Sequence, residues 1–407
     1  MKKYKKKYEI DDICKIMLND YNAVMKKLDL FYIGKLNKGF MLQTQLYFEN
    51  NKKFWIKRYF INIMNAFGII MSKNKKFIFV GLRYKQLLNG LKSDEVLIIA
   101  RSKSDVIYAL RNRIAFILVH NIVYFFYKAY FENNTKSLES EMYRFYRLFS
   151  LQKEICYLIL TSDTHPQDMF FSSLANQFNS VFRVLCIQHG MYADFVVNDD
   201  LVVRAGERTP FNVLYNETSK KYYSKYIKNS EFFIMGPPWD IPHVRDEGIR
   251  DVVLVGTDEG SPFSDIFQEL SNLLKKNKIN HTYRPHPSDT NVLPDGLLQC
   301  IDTRSKDDLL SGAPKIFIGF ISTLLYEAYI CGHTVFSIVY HRHFAKTNFD
   351  VDAAFYAEEL PFLCSTIARQ TVVRKRYRNQ DNLLPLSKRF INVINDIEFI
   401  VAKKQNG

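Results

Sequence analysis

The sequence predicts an α/β protein of two parallel-sheet domains facing a central cleft, preceded by a helical region. Three observations carry this. From residue 76 onward, short apolar runs alternate with longer amphipathic ones. The alternation is broken once, by Gly236-Pro237-Pro238-Trp239-Asp240, and then restarts. The polar motifs of interest follow directly on apolar runs, where ligands of such sheets bind.

Residues 1–75 carry Tyr, Phe and Ile at helical spacing. Lys76–Val80 and Glu95–Ala100 read as strands, and Glu154–Leu160 and Arg183–Gln188 do so more strongly. Leu201–Arg204 and Phe232–Met235 follow. Ile114–Phe131 is the most apolar long stretch. It contains His120, Asn121 and Lys128 and falls short of the ~20 apolar residues that span a bilayer, so it reads as a buried or interfacial helix. Adjacent prolines continue neither helix nor strand, which places a linker at Gly236–Asp240. The resulting domains are 1–240 and 241–407, both Rossmann-like. In the second, strands are expected at Asp251–Gly256, His281–Arg284, Lys315–Gly319 and Thr334–Val339. Helices are expected near Ser264–Lys275 and over Ser322–Cys331. Pro385 introduces a terminal amphipathic helix to about Ala402, free to pack back on the first domain.

Composition bounds the function. Hydrophobic residues make up 47% of 407, enough for real cores and against a disordered chain. The net charge of +14 favours anionic partners. Lys2–Tyr8, Lys52–Tyr59, Lys220–Lys228 and Arg374–Arg378 mix basic and aromatic residues, a pattern suited to peripheral contact with an anionic membrane and equally to solvated surface. No nucleic-acid recognition motif occurs, so no nucleic-acid partner is expected. The six cysteines are scattered singly, which argues against a zinc or redox motif and fits a reducing cytoplasm. The charged N-terminus lacks the apolar core of a signal peptide.

Four segments could carry chemistry. Gly256-Thr257-Asp258-Glu259-Gly260-Ser261 follows a strand. A carboxylate there could accept the proton of an attacking hydroxyl; the segment also fits a turn with Asp as helix cap. Tyr283-Arg284-Pro285-His286-Pro287 ends the next strand. Its prolines fix His286 in extended backbone, where an imidazole can protonate a departing phosphate, and Arg284 adds charge. Gly319-Phe320-Ile321-Ser322-Thr323 opens a helix whose free N–H groups and hydroxyls suit a phosphate, or form an ordinary cap. Glu327, further along that helix, faces the same cleft or supports the helix. Gln188-His189-Gly190 in the first domain could reach the acceptor side or a phosphate, or form a turn. His165-Pro166 is the rival to His286, without an adjacent arginine.

Asp258-Glu259-Gly260, His286-Pro287 and Ser322-Thr323, in that order, resemble the motifs of the bacterial sialyltransferases. The short interval from Asp258 to His286 most resembles glycosyltransferase family 52, the lipooligosaccharide sialyltransferases. The likeness spans about Gly256–Val339. It implies a GT-B fold and an inverting transfer of a sialic or related nonulosonic acid from a CMP-activated donor to a hydroxyl of a bacterial surface glycan. It implies Asp258 as base, with Glu259 exchangeable on sequence grounds, and His286 as acid at the CMP phosphate. Gly260, Ser261, Arg284, Pro287, Ser322, Thr323, Glu327, Gln188, His189 and Gly190 would bind substrates. No cofactor or metal is expected, because a monophosphate leaving group needs none. The first domain would take the acceptor and the second the CMP-sugar. The enzyme would sit in the cytoplasm on the inner face of the membrane; a homodimer is allowed. Gln188-His189-Gly190 and Arg284–Pro287 also resemble Kdo-transferring enzymes of capsule and O-antigen assembly. The alternatives are therefore a CMP-Kdo transferase, a CDP-polyol phosphotransferase, or, in another class, a non-catalytic binder of anionic polymer or membrane.

Overall fold

The structure is a computed structural model. It describes residues 10–23, 73–119, 122–131, 134–162, 165–188, 193–194, 206–239, 251–257, 261–287, 292–320, 322–339, 346–347, 351–369 and 384–406.

Residues 10–23 form α1. The first sheet grows outward from β1 (Phe77–Val80). β2 (Val96–Ala100), α2 (Lys103–Arg111) and β3 (Ala115–Leu118) extend it one way. After α3 (Ile122–Phe131) and α4 (Lys136–Phe149) the chain returns to the other side of β1 with β4 (Cys156–Leu160). Then come α5 (Pro166–Ala175), β5 (Phe182–Ile187), the separate two-residue β6 (Ala193–Asp194), β7 (Phe211–Leu214), α6 (Glu217–Tyr226) and β8 (Glu231–Ile234). The order is β3-β2-β1-β4-β5-β7-β8, every pair parallel. β1, β2, β4 and β5 are buried at every residue, as central strands covered on both faces must be. The direction of growth reverses between β1 and β4, and this opens a crevice at their C-terminal ends.

The second sheet repeats the scheme. β9 (Val252–Val255) leads through α7 (Ser261–Lys276) to β10 (His281–Arg284). α8 (Lys306–Leu310), β11 (Ile316–Gly319), α9 (Thr323–Cys331) and β12 (Thr334–Val339) follow. β13 (Lys346–Thr347), β14 (Ala353–Tyr356), α10 (Leu360–Arg369) and α11 (Leu386–Asn406) complete the chain. The order is β10-β9-β11-β12-β14, all parallel, with its reversal between β9 and β11. β6 and β13 pair antiparallel, a short tie between the segment after β5 and the segment after β12. Two Rossmann-like lobes of this kind make the GT-B arrangement.

Helix packing follows from spacing. In α4, Leu138, Met142, Phe145, Leu148 and Phe149 fall on one stripe and are buried; with α1, α3 and α5 they cover one face of the first sheet. The other face is covered by α2 and, from the far end of the chain, by α11. Leu386, Phe390, Val393, Ile394 and Ile397 line one side of α11 and join the core of the first lobe. The Phe390 ring lies 5.9 Å from Phe77 and 6.4 Å from Phe79. The chain therefore crosses between lobes twice.

Three expectations need correction. Ile114–Phe131 is not one helix: Ala115–Leu118 is the edge strand β3 and Ile122–Phe131 is α3. A run of apolar residues has no period to distinguish strand from helix, and pairing with β2 decides it. β7 and β14 were not anticipated, being short runs broken by Asn212 and by the alanines of β14. Of the basic-aromatic stretches, Lys220–Lys228 falls largely on α6, where Tyr222 and Tyr223 are buried in a small core while Tyr226 is partly buried beneath Lys225. The other three stretches, and the strand expected at Leu201–Arg204, lie outside the described residues. Among the described residues no helix is long and apolar enough to cross a membrane.

Candidate functional site

The C-terminal ends of the two sheets enclose a cavity of about 620 Å³. Parallel strands direct both sets of C-terminal loops toward it. Its second-lobe wall brings together Gly256 after β9, Arg284 to Pro287 after β10, and Ser322, Thr323 and Glu327 of α9. Three motifs separated by about thirty residues each in the chain thus become one surface.

Glycine is required where this wall is tightest. A β-carbon on Gly256 would lie 2.6 Å from Tyr283 Oη, and one on Gly319 would lie 2.9 Å from the Val255 carbonyl. Both positions flank the reversal between β9 and β11, so the absent side chains keep the strand ends close.

Ser322 caps α9: its Oγ accepts from the Leu324 N–H at 3.2 Å. An oxygen that accepts still has its own proton to give, so the cap and a phosphate contact are compatible. No acidic residue occupies the first turn of α9, and Ser322 and Thr323 at the helix N-terminus line the cavity, where its dipole favours an anion.

Glu327 lies one turn further in and is 3% exposed. Its Oε1 accepts from Lys306 Nζ at 2.7 Å. Its Oε2 has no hydrogen-bond partner among the described residues. Burial raises its pKa above the ordinary value, and Lys306 opposes this only in part. Lys306 also lies over the Trp239 ring, 4.9 Å from its centroid. Arg284 stands in the wall, but its Nη1 donates to the carbonyls of Asp302 at 3.1 Å and Arg304 at 2.7 Å, so part of its fork buttresses the loop after β10.

The first-lobe wall was not legible beforehand. It is formed by Arg83, Tyr84 and Lys85 after β1, Tyr215 after β7, and Trp239 in the crossover. Tyr84 Oη donates to the Gln188 carbonyl at 3.0 Å and lies 3.2 Å from Tyr215 Oη. Gln188 Oε1 accepts from the Tyr215 N–H at 2.9 Å. Gln188 thus holds two tyrosines of this wall and is not itself among the residues lining the cavity. Tyr215 ended an unrecognised strand, and Trp239 had been noted only as part of a linker; aromatic residues beside strand ends were the available signal. His165 caps α5, its Nδ1 accepting from the Gln167 N–H at 3.4 Å, and stands outside the cavity wall.

Asp258, Glu259, Gly260, His189 and Gly190 lie outside the described residues, as does the side chain of Ser261. Asp258 follows directly on Thr257, which is buried at the end of β9 beside the cavity wall. Among the described residues no group of three or more His, Cys, Asp or Glu side chains is arranged to hold a metal ion.

No protein-family model matches this chain, and no curated protein matches it. Solved structures are similar at a distance. A GtfA/B complex aligns at 9% identity and TM-score 0.41 over 64% of this chain and 60% of that one. A glycosyltransferase from Rickettsia africae ESF-5 aligns at 12% identity and TM-score 0.44, covering 82% and 98%. A UDP-N-acetylglucosamine 2-epimerase from Rickettsia bellii aligns at 12% and 0.45, covering 81% and 98%. The two-lobe architecture stands on the sheets themselves.

Proposed function

We propose that this chain is an inverting glycosyltransferase that takes a CMP-activated nonulosonic acid, sialic acid or a relative, and transfers it to a hydroxyl of a bacterial surface glycan. The observation that carries the reading is the convergence of His286, the N-terminus of α9 and Glu327 on one cavity between two lobes. Each supplies what such a donor needs. The α9 N–H groups with the Ser322 and Thr323 hydroxyls stabilise a phosphate. Glu327 Oε2, without a partner among the described residues, is an acceptor for a sugar hydroxyl once the wall opens to ligand.

In the reaction the acceptor hydroxyl attacks the anomeric carbon as the bond from that carbon to the phosphate oxygen breaks. Asp258, or Glu259 beside it, accepts the hydroxyl proton. His286 donates a proton to the departing CMP phosphate. A single displacement inverts the anomeric centre. Lys85 and Arg83, facing the cavity from the first lobe, offset the negative charge of donor carboxylate and phosphate. The first lobe takes the acceptor, and the basic surface favours a peripheral position on an anionic membrane.

The test is a donor panel scored for nucleotide release with glycan acceptors present. CMP-nonulosonates and CMP-Kdo are set against UDP-sugars and CDP-glycerol. Turnover with a CMP-nonulosonate is expected; turnover confined to UDP-sugars or CDP-glycerol overturns the donor assignment.

A further inference from the structure

Chain passes between the lobes in two places, outward after β8 and back before α11. One side chain joins them. Arg389, on the first turn of α11, is 5% exposed. Its Nη1 donates to the carbonyls of Met235 at 2.9 Å and Pro237 at 2.8 Å. Its Nη2 donates to the Trp239 carbonyl at 2.9 Å, and its Nε to the Leu384 carbonyl at 3.0 Å. A single guanidinium therefore gathers three carbonyls of the outgoing segment and one of the returning segment.

The partners explain the residue type. Two prolines in the outgoing segment remove backbone donors, and the buried carbonyls need donors from elsewhere. The planar fork of arginine serves several acceptors in fixed directions, which an ammonium does not. α11 is itself anchored by its apolar stripe to the first lobe, so Arg389 holds the crossover on a rigid base.

The last described residue of the outgoing crossover, Trp239, lines the cavity. Trp239 packs edge-on against Tyr215 at 5.5 Å and carries Lys306 over its ring. Its indole N–H has no hydrogen-bond partner among the described residues. Its backbone carbonyl is held by Arg389.

We propose that Arg389 is a positioning residue of the cavity: it sets Trp239, and through Trp239 the placement of Lys306 and of the aromatic junction between lobes, without touching ligand. Ligand affinity should then depend on a residue in the core of the first lobe. This rests on the cavity being the nucleotide site, and the experiment separates the two claims.

Arg389→Met, Arg389→Lys and, as a control, Val393→Ala in the same helix are made in a Trp55→Phe background, which leaves Trp239 as the one tryptophan of two. Emission of the ligand-free protein and its dissociation constant for CMP are measured. Arg389→Met is expected to shift Trp239 emission to the red and weaken CMP by about tenfold, with Arg389→Lys intermediate. Val393→Ala is expected to lower the melting temperature yet leave both readouts at wild type. Unchanged emission and affinity in Arg389→Met overturn the proposal. So does an equal loss of affinity in Val393→Ala, which would mean that lost stability alone weakens the site. If wild type binds no CMP, the donor reading fails, while the emission of Arg389→Met still decides whether Arg389 places Trp239.

Discussion

Tyr215 of the first lobe and Tyr326 of the second stack with ring centroids 5.8 Å apart and planes 9° from parallel. Each ends or flanks a cavity-forming element: Tyr215 follows β7, and Tyr326 neighbours Glu327 on α9. The stack is thus a contact between lobes, with Tyr215 in the cavity wall and Tyr326 buried behind it. Removing the ring in Tyr326→Ala should cost about 3–5 kcal/mol, while Tyr326→Phe keeps the stack and should cost under about 1.5 kcal/mol. Calorimetry of the two variants checks this. Equal melting temperatures would show that the stack holds nothing together.

The proposed function gives His286, in the cavity wall, the transfer of a proton to the leaving phosphate. His286→Ala should slow transfer by about 10²–10⁴-fold with the KM for donor little changed, because the loss falls on the transition state. Asp258→Ala should behave likewise. If Asp258→Ala keeps full turnover while Glu259→Ala does not, the base is Glu259.

Ser322 caps α9 and, in the proposed function, also contacts the donor phosphate; two substitutions separate the roles. Ser322→Gly should cost only about a few tenths of a kcal/mol in stability, because glycine is a tolerable cap, and Ser322→Ala about 1 kcal/mol. Both lack the hydroxyl and should weaken CMP equally. CMP affinity that tracked stability instead would reduce Ser322 to a cap.

Glu327 gives the site a pH signature. A carboxyl held above its ordinary value of 4.5 keeps its proton in the folded chain where the unfolded chain has lost it. Its contribution to stability is therefore full below 4.5 and falls as pH rises through the raised value. Glu327→Gln cannot titrate, so its melting temperature should decline less over that interval than that of wild type. Parallel curves would place the titration elsewhere. The same variant should weaken CMP, since the amide no longer offers a carboxylate oxygen to a hydroxyl.

How much of this could be read from the chain depended on whether the signal was local. The strands Lys76–Val80, Glu154–Leu160, Arg183–Gln188 and Asp251–Gly256 announced themselves because a strand buried on both faces must be apolar throughout. The place of His286, Ser322 and Thr323 on one wall was legible because each follows an expected strand, and parallel strands put their C-terminal ends on one side. The break at Gly236–Asp240 was legible because prolines cannot continue regular structure.

Tertiary structure alone decided the rest. Whether Ala115–Leu118 became strand or helix turned on a pairing with β2. Gln188 looked like a ligand contact and instead holds two tyrosines of the wall, because its partners Tyr84 and Tyr215 lie 104 and 27 residues away in sequence. Arg389 had no motif, and its role arises from carbonyls about 150 residues earlier. The sequence determined two α/β lobes and the second-lobe wall, since periodicity and strand-end motifs are properties of neighbouring residues. The first-lobe wall and the pin between crossovers came from distant segments meeting, and no local pattern encodes which distant groups will satisfy a buried hydrogen bond.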